Sequence, residues 1–207
     1  MIATVLLAAG SARRFDGTQK LLATVRSGDA EVALVRHSIA GLLGAGLREI
    51  VVVIGRDAEA VRQSLDGVEV RFALNPDYAA GMSTSLRKGV VEAFRLWPNA
   101  DGVLVALGDQ PLTGTGIIEA LLSNALDDDA HVRHAIVAPR FRGEVGNPVL
   151  FARGLVPELL EVSGDRGGRA VLERDESRVC YVDFDRAMPA DVDTVSDLAV
   201  LTNISRS

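Results

Sequence analysis

The sequence predicts a three-layer, Rossmann-like α/β fold with a mainly parallel sheet flanked by helices. Three observations carry that prediction. Short apolar runs, Ile50-Val51-Val52-Val53-Ile54 above all, show no polar alternation and so read as strands covered on both faces. These runs alternate with stretches at helical spacing, the pattern of βαβ units. Aromatic residues make up only 4% of the chain while Ala, Val, Leu and Gly abound, which suits helices packed closely on a sheet.

The elements follow in order. Residues 2–7 form an apolar run closed by Ala8-Ala9-Gly10 and a polar stretch, a buried strand leading into a turn. Val32, Leu34, Val35, Ile39, Leu42 and Leu43 recur at helical spacing over 31–46, and Gly46 stops that helix. Residues 49–55 contain the clearest strand, 57–65 a short helix and 68–74 a third strand. A helix over 83–97 ends before Pro98, and 102–107 is the next apolar strand. Residues 114–126 are helical, and a Gly- and charge-rich hairpin separates strands at 135–139 and 148–151. Helices at 153–161 and 166–174, a strand at 178–184 and a closing helix at 194–202 complete a single domain over 1–202, with a frayed tail at 203–207.

Composition narrows the function classes. A chain of 207 residues suffices for one domain with a sizeable core, burying roughly 70% of its unfolded surface. The net charge of −6 argues against a nucleic-acid partner, which calls for a basic face. It leaves nucleotides open, because a metal ion and a few local cations neutralise phosphates. Cys180 is the only cysteine, which excludes an intrachain disulfide and a Cys-rich zinc site. No apolar run approaches the roughly 18 residues of a membrane span. The first residues lack a basic segment followed by a signal-type apolar core, so a cytoplasmic location is expected, with no membrane partner.

Three polar clusters directly follow predicted strands, at 10–20, 75–85 and 108–111. In open α/β sheets ligands bind beyond the carboxyl ends of strands, so these clusters mark the candidate site. In the first, Gly10 and Gly17 permit close backbone approach, Ser11 adds a hydroxyl, and Arg13, Arg14 and Lys20 supply positive charge. It is neither a P-loop nor a G-x-G-x-x-G fingerprint, and a solvated basic turn accounts for it equally well. In the second, the Asn75 amide pairs a donor with an acceptor suited to a base edge. Gly81-Met82-Ser83-Thr84-Ser85 opens a helix whose N–H groups favour an anion, although a well-capped loop explains the same residues. In the third, Asp109 ends a buried strand on a tight Gly turn, fit either to ligate Mg2+ or to cap the next helix.

Taken in register, these segments resemble a known family. Leu7-Ala8-Ala9-Gly10, then Arg14, then Gly17-x-x-Lys20 resembles the signature of nucleotidyltransferases with the glycosyltransferase-A-type, nucleotide-diphospho-sugar transferase fold. Within that group the chain is similar to the MobA-like NTP transferases, specifically the molybdenum-cofactor cytidylyltransferases and their guanylyl relatives. Asn75-Pro76 through Gly81-Met82, Gly108-Asp109-Gln110-Pro111, Gly146-Asn147-Pro148-Val149-Leu150-Phe151 and Asp191-x-Asp193-Thr194 match further family segments in the same order. Gly164-Asp165-Arg166-Gly167-Gly168 resembles the family's turn before a helix, and by itself is a helix-initiating turn. Two departures stand out. Ala12 occupies the position where the family places Ser, and the stretch from Arg14 to Lys20 is one residue longer, with Asp16 where Gly is usual. Asn147 replaces a frequent His, which removes a proton-transfer role there.

The resemblance implies an Mg-dependent transfer of a nucleoside monophosphate, with CTP favoured, to a phosphate-bearing acceptor of molybdopterin type. Leu7, Ala8, Ala9, Gly10 and Ser11 would wrap the triphosphate, and Asn75, Gly81, Met82, Ser83 and Ser85 would hold the nucleoside. Arg14, Lys20 and Asp109 would be catalytic, Asp109 and Asp193 would ligate Mg2+, and Gln110, Gly146, Asn147 and Pro148 would border the acceptor. A client molybdoenzyme or its chaperone is an implied partner. The alternatives are a guanylyl- or sugar-phosphate nucleotidyltransferase, a catalytically silent nucleotide-binding accessory protein and, from another class, a dinucleotide-binding oxidoreductase lacking its glycine fingerprint.

Overall fold

The computed structural model describes residues 1–10, 19–27, 30–110, 114–129 and 131–189. Its main sheet is built from β1 (Ile2–Ala8), β4 (Ile50–Ile54), β5 (Arg71–Leu74), β6 (Gly102–Leu107), β7 (Ile136–Phe141), β8 (Glu144–Val145), β9 (Val149–Ala152) and β10 (Val179–Phe184). The order is β10-β7-β9-β6-β1-β4-β5, with β8 pairing β7 off that path. Pairs β6–β1, β1–β4, β4–β5 and β10–β7 are parallel, while β9 runs antiparallel to both β6 and β7. The sheet is therefore mainly parallel, as the unbroken apolar runs require.

Helices α1 (Leu34–Gly44), α2 (Ala58–Ser64) and α4 (Gly114–Ala125) pack on one face, and α3 (Met82–Leu96), α5 (Val156–Leu160) and α6 (Arg169–Leu172) on the other. Alternate residues of one strand feed the two cores: Ile50, Val52 and Ile54 join the first, Val51 and Val53 the second. That two-sided burial is the physical reason these strands read as continuous hydrophobic runs. Gly89 lets α3 lie close on the sheet, since a Cβ there would come within 2.7 Å of Val53 Cγ2.

The structure departs from the sequence expectation at four elements. Residues 31–33 are not helical: β3 (Ala30–Ala33) pairs antiparallel with β2 (Thr24–Ser27) in a separate two-stranded sheet, and α1 begins only at Leu34. The third strand is shorter than 68–74, because Val68 N–H donates to Leu65 O in the turn that closes α2 and Val70 N–H to Val68 O. The expected helix over 153–161 is a 3₁₀ turn (Arg153–Leu155) followed by α5, whose first turn contains Pro157, a residue without an N–H to give an earlier turn. The helix over 166–174 contracts to α6, with Gly167 at φ +53 before it. The expected closing helix at 194–202 and the tail lie outside the described residues. No helix among the described residues is long and apolar enough to cross a membrane.

Candidate active site

The carboxyl ends of β1 and β6 are tied together by backbone. Gly108 N–H donates to Leu7 O at 3.0 Å, and a Cβ on Gly108 would meet that same oxygen at 3.2 Å and Leu21 Cδ2 at 3.3 Å. The tight approach favours glycine in this turn, which presents the next residue, Asp109, at the sheet edge. A second anchor comes from α1: Ser38 Oγ, buried, reaches Gly108 O at 2.8 Å and Leu34 O at 3.1 Å.

Lys20 opens a 3₁₀ turn (Lys20–Leu22) beneath this edge, and its Nζ donates to Asp109 Oδ2 at 2.9 Å. The two side chains differ in exposure, 8% for Lys20 and 35% for Asp109. The cation is thus packed into the protein while the carboxylate keeps a solvent-facing side. Gln19, the residue before Lys20 and also buried, is tethered through Nε2 to Arg56 O at 3.2 Å. A carboxylate held open at a strand end fits a hard cation such as Mg2+, which keeps waters and takes substrate phosphates rather than a full protein cage. No group of three or more His, Cys, Asp or Glu side chains placed to hold a metal occurs among the described residues.

The second cluster is also brought to this end of the sheet, with a different internal logic from the one expected. Asn75 is only 3% exposed, and its Nδ2 donates to Thr84 Oγ1 and Ser85 Oγ, both at 2.9 Å, while Oδ1 accepts from Asp77 N–H at 3.0 Å. Both amide N–H groups are spent inside the loop, so the side chain braces the segment and has no donor left for a base edge. The first amides of α3 are likewise occupied. Met82 N–H donates to Asp165 Oδ1 at 3.2 Å and Ser83 N–H to Gly164 O at 3.0 Å. An anion does sit at this helix start, and it is the chain's own carboxylate. Ser83 and Ser85 are buried and Met82 is exposed.

Beside this edge lies a cavity of about 470 Å³. Its floor comes from Leu7, Val105, Leu107, Val149 and Phe151, and its rim from Met82, Gly146, Asn147, Asp165, Arg166, Arg169 and Glu173. Gly146 and Asn147, expected at the acceptor, thus share a wall with the Gly164–Arg169 turn, which the sequence marked only as a helix start. Pro148, joined to Asn147 by a cis peptide, and Gln110 instead line a much smaller void with Ser38. Ala8 and Ala9 are buried in the strand end, while Gly10 faces open space. Ser11, Arg13, Arg14, Asp191 and Asp193 lie outside the described residues. Ser38 was missed by sequence reasoning; the available signal was a hydroxyl on the apolar face of a helix.

Comparison with known proteins gives this geometry its class. A nucleotidyl transferase from Methanothermobacter thermautotroptrophicus shares the fold, with a TM-score of 0.80 at 23% identity, covering 100% of this chain and 98% of that one. The fold is thus that of the nucleotide-diphospho-sugar transferases. More specifically, residues 4–179 match the MobA-like NTP transferase domain, and the chain belongs to that family. It is 31% identical over 198 residues to nicotine blue oxidoreductase of Paenarthrobacter nicotinovorans, covering 94% of this chain and 93% of that protein. Rv0371c from Mycobacterium tuberculosis superposes with a TM-score of 0.79 at 28% identity, covering 98% and 97% of the two chains, and has been solved in complex with manganese.

Proposed function

We propose that this protein is a divalent-metal-dependent nucleotidyltransferase that moves a nucleoside monophosphate, with CTP the favoured donor, onto a phosphate-bearing acceptor of molybdopterin type. The observation that carries the reading is the Lys20–Asp109 pair at the joined ends of β1 and β6, in a chain of the MobA-like NTP transferase family. In this reading an acceptor phosphate oxygen attacks the α-phosphorus of the triphosphate. The new O–P bond forms as the bond to the β-phosphate oxygen breaks, and pyrophosphate leaves with that electron pair. A phosphate monoester is already largely ionised near neutral pH, so no dedicated base is needed, and catalysis reduces to positioning and charge neutralisation.

Asp109, together with Asp193 further along the chain, would hold Mg2+ or Mn2+, which when bound neutralises phosphate charge. The manganese complex of Rv0371c supports a divalent ion in this family. Lys20 and Arg14 would stabilise charge gathering on the departing pyrophosphate. Leu7 to Ser11 would wrap the phosphates, and Gly81 to Ser85, braced by Asn75, would flank the nucleoside. Gly146 and Asn147 would border the acceptor, with Gln110 and Pro148 behind them. The test is pyrophosphate release from CTP, GTP, ATP and UTP with Mg2+ or Mn2+ and molybdopterin as acceptor. Metal-dependent release, greatest with CTP, is expected; no release with any donor overturns the proposal.

A second reading follows from the relative that carries an oxidoreductase name along 94% of this chain. Redox turnover of nicotine blue with no requirement for a triphosphate would favour that reading over transfer chemistry.

A further inference from the structure

The Gly164–Arg169 turn is pressed onto the cavity wall. A Cβ on Gly167 would lie 2.7 Å from Met82 Sδ, and one on Gly168 would lie 3.0 Å from Phe151 Cζ. This close seating fixes the two flanking residues, Arg166 and Arg169, at the mouth of the cavity. Both guanidinium groups pair with one carboxylate, that of Glu173: Arg169 Nε lies 3.0 Å from Oε1, and Arg166 pairs with Oε2. Each arginine side chain is 65% exposed and Glu173 32%. The other carboxylate on this wall, Asp165, is turned to Met82 N–H at the start of α3 and is held away from the pair.

Two forked donors sharing one carboxylate, at the rim of an apolar chamber, make a site with its own counter-charge in place. Ion pairs this exposed are weak, so a better anion displaces them readily. A phosphate monoester carries more charge and more acceptor oxygens than a carboxylate, and guanidinium forks match its geometry. The cavity volume of about 470 Å³ is in the range that takes a small organic molecule, and its floor is apolar.

We propose that Arg166 and Arg169 are the anion subsite of this cavity and that Glu173 is its resident counter-ion, displaced by the phosphate of an amphipathic ligand whose apolar body enters the chamber. Resting on the reading of this cavity as the acceptor side, the inference assigns the acceptor's phosphate to these two arginines. Glu173 then sets affinity by competing for the same donors.

The test is calorimetric titration of the full chain with naphthyl phosphate, against naphthol, naphthoate and inorganic phosphate. The subsite predicts that naphthyl phosphate binds best, and that Arg166→Gln and Arg169→Gln each weaken it by about tenfold, the scale of one charge-assisted hydrogen bond. Glu173→Gln tightens it several-fold, a gain that misfolding cannot produce. Equal binding of naphthol, or a Glu173→Gln variant that binds no better than wild type, overturns the proposal. Pyrophosphate release by the same preparations separates the two readings. Turnover with arginine variants that bind naphthyl phosphate normally sinks the subsite alone. The predicted binding pattern without any triphosphate turnover leaves the subsite standing and sinks the transferase reading.

Discussion

Lys20 Nζ and Asp109 Oδ2 meet at 2.9 Å although 89 residues of chain separate them. The ammonium is packed beneath the sheet edge and the carboxylate faces outward from the turn after β6. A buried cation of this kind orients its partner and, in the proposed reading, would offer incoming phosphates a positive charge already desolvated.

That coupling is measurable in a double-mutant cycle. Lys20→Met and Asp109→Asn are each expected to lower kcat/KM for the triphosphate by about a hundredfold to a thousandfold. The double variant is expected to lose far less than the product of the two, because each single change already breaks the shared unit. Strict multiplicativity would show that the two residues act independently.

Ser38 holds the same turn from α1 through Gly108 O. Ser38→Ala leaves that carbonyl without its side-chain donor, at a cost of about 1–3 kcal/mol in stability. Activity should fall about tenfold with little change in KM for the triphosphate, as expected of a residue that positions Asp109 without touching substrate. A variant with raised KM and unchanged kcat would place Ser38 in binding instead.

Asn75 gives a sharper contrast, because its bonds to Thr84, Ser85 and Asp77 leave no amide N–H for a base. Asn75→Ala should lower the melting temperature by several degrees, following a loss of about 2 kcal/mol. The ratio of activities with CTP and GTP should stay constant. A large change in that ratio at constant stability would restore Asn75 as a base reader.

Much of this architecture was legible from residue patterns, and the exceptions have physical causes. The strands β1, β4 and β6 declared themselves because covering on both faces selects apolar side chains, with Thr4 in β1 the one hydroxyl among them. The β2–β3 hairpin hid because Val32 fits the helical spacing of the α1 residues beyond it, while Ala30–Ala33 pairs with Thr24–Ser27 instead. Gly28-Asp29 between the two runs was the sequence signal for a hairpin. At the candidate site, residue types pointed to strand ends that the fold brings together, yet partners across the chain decided what each side chain contacts. The Asn75 amide turned inward, and the start of α3 received Asp165. No local pattern around residue 82 announces a carboxylate 83 residues away.

The fold also contains a pH-dependent element on α1. His37 on α1 is half-buried, its Nδ1 has no hydrogen-bond partner among the described residues, and burial pushes its pKa below the ordinary value. A histidine held neutral in the folded state leaves stability intact above its unfolded pKa, about 6.5. Stability is lost as pH falls from there through the lower folded value, because the unfolded chain takes up the proton first. The melting temperature of wild type should therefore drop more steeply than that of His37→Gln between roughly pH 6.5 and 5. Parallel curves would show that His37 does not contribute.

In the proposed reading a nucleoside triphosphate is held at the joined ends of β1 and β6, against Lys20 and Asp109. Calorimetric titration with CTP, GTP, ATP and UTP in the presence of Mg2+, on wild type and on Lys20→Met, tests it most directly. At least one triphosphate, CTP first, is expected to bind tightly, with binding weakened at least about tenfold in the variant. Indifference of wild type to all four, or undiminished binding by Lys20→Met, would contradict it.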